Sequence, residues 1–223
     1  MNVKIKKLHN WDMTPAQAIV LQRELAQKVS ACGTISDIHL VAGADVWYSR
    51  TSGMGRAAVV VLSYPDMQLM EISRSEGDCH IPYIPGLLSF REMPLLLSAF
   101  EGLESIPDLV FMDGQGLAHP RRLGIASHLG LFLNKPVIGC AKSRLVGEYT
   151  ALADAAGSHS DLYHNNQLVG RVVRTRKGVN PLFISVGHKI CLEEACSWVV
   201  ECCRGYRLPE PIRQAHLAAA ELI

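Results

Sequence analysis

The sequence predicts an α/β chain: a mixed sheet in which a three-strand antiparallel meander continues into helix-linked strands, with helices flanking the sheet. Three observations carry this expectation. Apolar segments at 39–48, 57–63 and 69–75 are separated only by short turns, and short turns join antiparallel neighbours. Beyond them, stretches with apolar residues at helical spacing alternate with short apolar runs, the pattern of buried strands joined by helices. The hydrophobic share, 48% of 223 residues, is ample for one sizeable core.

Taken in order, Thr14 followed by Pro15 is a helix start, with Thr as N-cap and Pro in the first turn. Ala18, Leu21, Leu25 and Val29 mark its apolar face, and Gly33 is expected to end it. The strand at 39–48 is weakened by Gly43. Ser52, Gly53 and Gly55 make a turn into the strand at 57–63, and Tyr64, Pro65 and Asp66 turn the chain into a third at 69–75. Residues 81–86, with Pro82, Tyr83, Ile84 and Pro85, exclude both helix and central strand. A helix is predicted over 87–104, where Pro94 marks either the first turn or a break. A strand at 108–112 stops at Asp113, and the glycines Gly114 and Gly116 let the chain turn sharply. Leu123, Ala126, Leu129 and Leu133 mark the next helix, and 136–140 the next strand. Residues 154–166 read as a variable polar loop. Strands at 167–174 and 181–186, joined by a basic turn, precede helices at 192–203 and 212–222. One domain over 1–223 is expected. The order of strands and helices resembles that of the ribonuclease H-like fold.

Bulk properties exclude several classes. A net charge of +1 points by itself to no partner, so any polyanion site must rest on local clusters such as Arg121 with Arg122. Seven cysteines, with no Cys-x-x-Cys pair, give no zinc framework and read as buried thiols in a reducing compartment. No signal peptide and no run of about 18 apolar residues is present, so a cytoplasmic protein without a membrane span is expected. Gly114-Gln115-Gly116 after a strand prompts a dinucleotide-binding reading. That motif needs glycine where His119 stands, and it does not follow a meander.

The acids fall in an informative order. Asp45 lies inside an apolar strand, Glu92 near the start of the first core helix, and Asp113 at the end of the fourth strand. An Asp bonded to nearby backbone is the plainer reading of Asp45, and a surface or capping role that of Glu92 alone. As a set they suit hard cations, which take carboxylate oxygens. Two such ions about 3.5–4 Å apart can stabilise the attacking and leaving oxygens of phosphodiester hydrolysis. Lys142 follows the fifth strand and would emerge near Asp113, placed to hold a phosphate or orient water. His119 and His216 are candidates for a proton shuttle, although His216 alone reads as a surface residue.

Six stretches then resemble the endonuclease V family in sequence order: VAGADV at 41–46, PYIPGLLSFRE at 82–92, PDLVFMDGQGLAHPRRLGIASHLGL at 107–131, PVIGCAKSRL at 136–145, NPLFISVGH at 180–188 and GYRLPEPIRQAH at 205–216. The resemblance implies a ribonuclease H-like, magnesium-dependent enzyme, with manganese able to substitute and no organic cofactor. It implies recognition of deoxyinosine or inosine in nucleic acid and hydrolysis of the second phosphodiester bond 3′ to it, leaving 3′-hydroxyl and 5′-phosphate. By position it implies metal carboxylates Asp45, Glu92 and Asp113, His216 near the metal, and Lys142 at the scissile phosphate. Pro82, Tyr83, Ile84 and Pro85 would form a wedge that stacks in the gap left by an everted base, offsetting part of the cost of extraction. Leu88, Gly114, Gly116, His119, Gly124 and Leu145 would line the base pocket, where a donor facing O6 would select hypoxanthine. Gln115 departs from the family's pattern. The compact chain resembles the bacterial form, which favours a DNA-repair enzyme; a monomer is the favoured state. An inosine-directed ribonuclease and a non-catalytic inosine binder stand as alternatives, and the Tyr83 wedge speaks against a junction resolvase.

Overall fold

The computed structural model describes residues 3–33, 35–49, 51–79 and 84–221. The elements are α1 (Pro15–Ala26), β1 (Leu40–Tyr48), β2 (Met54–Ser63), β3 (Leu69–Asp78), α2 (Leu88–Glu101), β4 (Leu109–Met112), α3 (Ile125–Leu133), β5 (Val137–Ala141), β6 (His159–His164), β7 (Gln167–Val173), β8 (Leu182–His188), α4 (Leu192–Glu201) and α5 (Glu210–Ala220). The strands form one eight-stranded sheet in the order β3-β2-β1-β4-β5-β8-β7-β6. β1, β2 and β3 pair antiparallel, β1 with β4 and β4 with β5 parallel, and β5, β8, β7 and β6 antiparallel again. The first five strands have the ribonuclease H-like arrangement, and the last three extend it.

Central strands are buried on both faces, which is why they read as continuous apolar runs. Alternate residues divide between two layers. Ala42, Ala44, Val59, Val61, Val110 and Met112 pack with Met93, Leu96 and Phe100 of α2 and Leu129 of α3. Val41, Ala58, Val60, Leu62, Leu109 and Phe111 pack with Val199 of α4 and Ile212 and Ala215 of α5. Gly43, which weakens the strand signal, has a tertiary reason: a Cβ there would lie 1.9 Å from the Pro211 carbonyl oxygen. Helix α5 can therefore lie directly on β1.

Three expectations need correction. Thr14 and Gln17 form the expected capping box, but α1 ends at Ala26 rather than Gly33. Tertiary bonds claim the chain beyond it: Ser30 N–H donates to His188 Nδ1 at 3.1 Å, and Lys189 N–H to the Ser30 carbonyl at 2.7 Å. Pro94 neither starts nor breaks α2; it sits exposed within a continuous helix. Residues 159–164, read as loop, form edge strand β6. Its inward residues are only Ser160 and Leu162, so it carries too little apolar alternation to be read from sequence. Among the described residues, no helix is long and apolar enough to cross a membrane.

Candidate active site

The parallel strands β1, β4 and β5 bring their carboxyl ends together, where ligands bind in open α/β sheets. Ala44 pairs with Met112, and the Asp113 N–H donates to the Ala44 carbonyl at 3.0 Å, so Asp45 and Asp113 are adjacent. Met112 pairs with Gly139, which puts Lys142, just past β5, beside them. Its ammonium forms an ion pair with Asp113. From one helix layer, α5 lowers His216 onto the pair: its Nδ1 lies 2.7 Å from Asp45 Oδ2 and 3.5 Å from Lys142 Nζ. From the other layer, α2 presents Glu92. Asp45 Oδ1 also accepts the Val46 N–H at 2.8 Å, so the plainer reading of that Asp describes one of its two oxygens.

One ligand atom each from Asp45, Asp113 and His216 lies within 4.8 Å of the others. Burial, reinforced by the Asp113 charge, pushes the Asp45 carboxyl up to about 6. Burial also pushes Glu92 up to about 8; Arg91 opposes this, while Asp45 and Asp113 add to it. A concentration of buried acids that resist ionisation is the environment a divalent cation relieves. Two carboxylates and an imidazole could hold a divalent cation. Of the expected carboxylates Asp45, Glu92 and Asp113, the two aspartates fall in this set. His216, not Glu92, completes the compact set, because α5 lies against β1 at Gly43. Glu92 stands outside that set but close enough to feel both aspartates.

The loop after Asp113 leads from the acids into a cleft lined by Gly86, Leu88, Ser89, Gln115, His119, Leu123, Gly124, Ile125 and Leu145. Its volume is about 80 Å³, several times the roughly 10–15 Å³ one water needs. Of the residues expected there, Leu88, His119, Gly124 and Leu145 line it. Gly114 and Gly116 do not. Gly116 is consumed by packing: its N–H donates to Ser185 Oγ at 2.8 Å, its carbonyl accepts the Gly124 N–H at 3.0 Å, and a Cβ would meet the Val186 carbonyl at 2.1 Å. Gly114 holds φ +155° against Ile125, where a Cβ would lie 2.4 Å from Cγ2. The first turns of α2 and α3 form part of the wall without side-chain caps, and in α3 the Ala126 N–H donates to the Gln115 carbonyl at 3.0 Å.

His119 is buried, and burial with the Arg121 charge holds it neutral, down to about 4. Its Nδ1 accepts the Arg121 N–H at 3.1 Å, so Nε2 carries the hydrogen and donates to the Gly86 carbonyl at 3.1 Å. With both nitrogens engaged, it anchors the loop end at the wall of the cleft. Gln22 and Arg121 also donate to the Gly86 carbonyl. Of the wedge, Ile84 packs with Leu87 and Phe90, and Pro85 follows it; Pro82 and Tyr83 lie outside the described residues. Sequence reasoning missed Gly86, Ser89, Gln115, Leu123 and Ile125 in the cleft, and also Arg91. The buried Arg91 guanidinium sits 3.5 Å over the Tyr48 ring, and its Nε and Nη2 have no partner among the described residues. Only Gln115 carried a prior signal, as a departure from the family pattern.

The comparisons agree with this geometry. A family model described as Endonuclease V matches residues 23–217. An endonuclease V of Dehalococcoides mccartyi is 89% identical over the whole of both chains. The crystal structure of the Bacillus subtilis endonuclease V superposes with a TM-score of 0.93 at 32% identity, covering 97% of this chain and 95% of that one. The Ciona intestinalis endonuclease V, crystallised with a 23mer DNA containing an inosine followed by a ribo-adenosine, gives a TM-score of 0.78 at 29% identity, covering 93% and 97%. Matched over nearly its full length in sequence and in fold, the chain belongs to the endonuclease V family of nucleases.

Proposed function

We propose that the chain recognises deoxyinosine in DNA and hydrolyses the second phosphodiester bond 3′ to it, leaving 3′-hydroxyl and 5′-phosphate ends, as a monomeric repair endonuclease. The observation that carries this reading is the cluster of Asp45, Asp113 and His216 joined through one loop to a ring-sized cleft. The Ciona relative's inosine-bearing DNA supports the choice of ligand. Asp45 and Asp113, with Glu92 beside them, would hold magnesium, or manganese in its place, and the ion would supply charge stabilisation at the reacting phosphate. The chain's own residues do the rest. Lys142, already paired with an acid, exchanges that partner for a phosphate oxygen and fixes the strand. His216, bonded to Asp45, orients groups at the reacting centre. The cleft holds the everted base while the 82–85 wedge stacks in the space it left.

Incubation with magnesium and a duplex carrying one deoxyinosine is expected to nick the lesion strand at that position; an intact lesion strand refutes the reading. A parallel ribo-inosine strand separates DNA from RNA specificity. Tyr83→Ala is expected to weaken lesion binding while leaving the divalent-ion titration unchanged, and equal lesion affinity for variant and wild type removes the wedge role.

A further inference from the structure

We propose that the nucleic-acid strand leaving the reacting phosphate on its 3′ side runs over residues 205–213 and stacks a base on Tyr206, while Arg176 and Lys177 hold its phosphates. This rests on the cleft being the base site and the acid cluster the reacting centre, and it adds a binding surface for the downstream strand.

The layers of the fold set the direction of that strand. The cleft lies at the first turns of α2 and α3 on one face of the sheet, α5 covers the other face, and Asp45 and Asp113 stand at the edge between them. A strand whose altered base occupies the cleft, and whose bond 3′ to it meets the acids, emerges over α5 when continued the same way. Tyr206 stands there. Arg207, next in the chain, donates through Nη2 to the Lys142 carbonyl at 2.7 Å and to the Pro181 carbonyl at 2.9 Å, so the segment is tied to the residue at the reacting phosphate. The Arg213 guanidinium lies 4.6 Å over the Tyr206 ring. On α5, Arg213 precedes His216 by three residues, about 4.5 Å of helix rise.

Tyr206 is held in place rather than left as a loose surface side chain. Glu210 accepts from Arg213 Nε at 2.7 Å and Nη2 at 2.6 Å, and Gln214 donates to the same carboxylate. That fork fixes the guanidinium, and the guanidinium fixes the ring by a cation–π contact. Tyr206 is nonetheless 53% exposed, so the ring keeps a surface for a ligand. Every base has a π-face, and stacking on exposed aromatics holds single strands without sequence preference. The charge beside it has the matching sign. Thr175 Oγ1 donates to the Arg207 carbonyl at 2.6 Å, which brings the turn between β7 and β8 against this segment. Arg176 and Lys177 of that turn are exposed and form no ion pair among the described residues. The acids nearby are already neutralised, Glu210 by Arg213 and Asp154 by Arg174.

The test is fluorescence anisotropy of the full chain, with calcium as the divalent ion and gels confirming that the strands stay uncut. The probes are labelled single strands with one deoxyinosine and one abasic site, stepped through successive positions 3′ of it. The wild type is expected to lose affinity roughly tenfold when the abasic site falls at one position beyond the cut bond. Tyr206→Ala should bind the intact strand about tenfold more weakly and lose nothing further at that position. Tyr206→Phe, which keeps the ring, should bind as the wild type does. Replacing Arg176 and Lys177 together by Ala should flatten the salt dependence for strands that pass the cut bond, but not for strands that end there. Melting curves confirm that the variants are folded, and the wild-type abasic scan needs no variant. The stacking role is overturned by a wild type that responds at no downstream position, by Tyr206→Ala with wild-type affinity, by losses that add in full at every position, or by Tyr206→Phe as weak as Tyr206→Ala. An unchanged salt slope removes the basic turn from the surface. A wild type with no preference for deoxyinosine over deoxyadenosine overturns the base-site reading instead, and the direction of the strand falls with it.

Discussion

Asp45→Asn should stabilise the metal-free protein, and only at high pH. In the fold the Asp45 carboxyl titrates near 6 rather than at its ordinary 3.8, because it is 8% exposed and faces Asp113. A raised carboxylate binds its proton more tightly folded than unfolded, so its stabilising effect is complete below pH 4 and is lost as pH rises through 6. At about 1.36 kcal/mol per pH unit, ionising it in the fold costs on the order of 3 kcal/mol by pH 8. Asparagine removes the charge yet can still accept the His216 hydrogen bond. Thermal melts in EDTA should therefore place the variant about 6–12 °C above the wild type at pH 8, taking roughly 2–4 °C per kcal/mol for a chain of this size. At pH 4 the two should converge. The same substitution should abolish nicking. A variant that gains equally at both pH values, or is less stable at pH 8, refutes the account of Asp45 as a strained acid held for a cation.

Magnesium should raise the wild-type melting temperature more at pH 8 than at pH 5, since below pH 6 the ion must displace protons from Asp45 and Glu92; Asp113→Ala should remove most of that rise in a calorimetric titration. His119, neutral down to about 4, contributes stability that is present above pH 6.5 and lost as pH falls through 4. His119→Gln should flatten the acid limb of a pH–stability curve, and an unchanged slope would count against its buried neutral state. Gly43→Ala must push the Pro211 backbone away; a loss of about 1–3 kcal/mol in urea melts is expected, with a fall in nicking as His216 moves off Asp45.

The strands were legible because each central one is buried on both faces and so reads as an unbroken apolar run. β4 is the clearest case: Leu109, Val110, Phe111 and Met112 all face core, on one side of the sheet or the other. Signals failed where the deciding partner is remote. Ser30 continues no helix because His188 and Lys189, far along the chain, take its backbone groups. Gly116 looked like a place for a base to approach, yet Val186 and Gly124 occupy that space. Glu92 and His216 could not be ranked as ligands, since which one meets Asp45 depends on how closely each helix seats on the sheet.

From its residues alone the chain determined the order of its strands and helices apart from β6, the acids at the sheet's carboxyl edge and the family it resembles, because burial period and local turn chemistry are written into neighbouring positions. Only the tertiary structure decided that His216 completes the Asp45–Asp113 cluster, that Gly114 and Gly116 serve the turn and its packing, and that Ser89 and Gln115 line the cleft. Those outcomes depend on distances between residues far apart in the chain, and on which hydrogen-bond partner each buried polar atom has left to find.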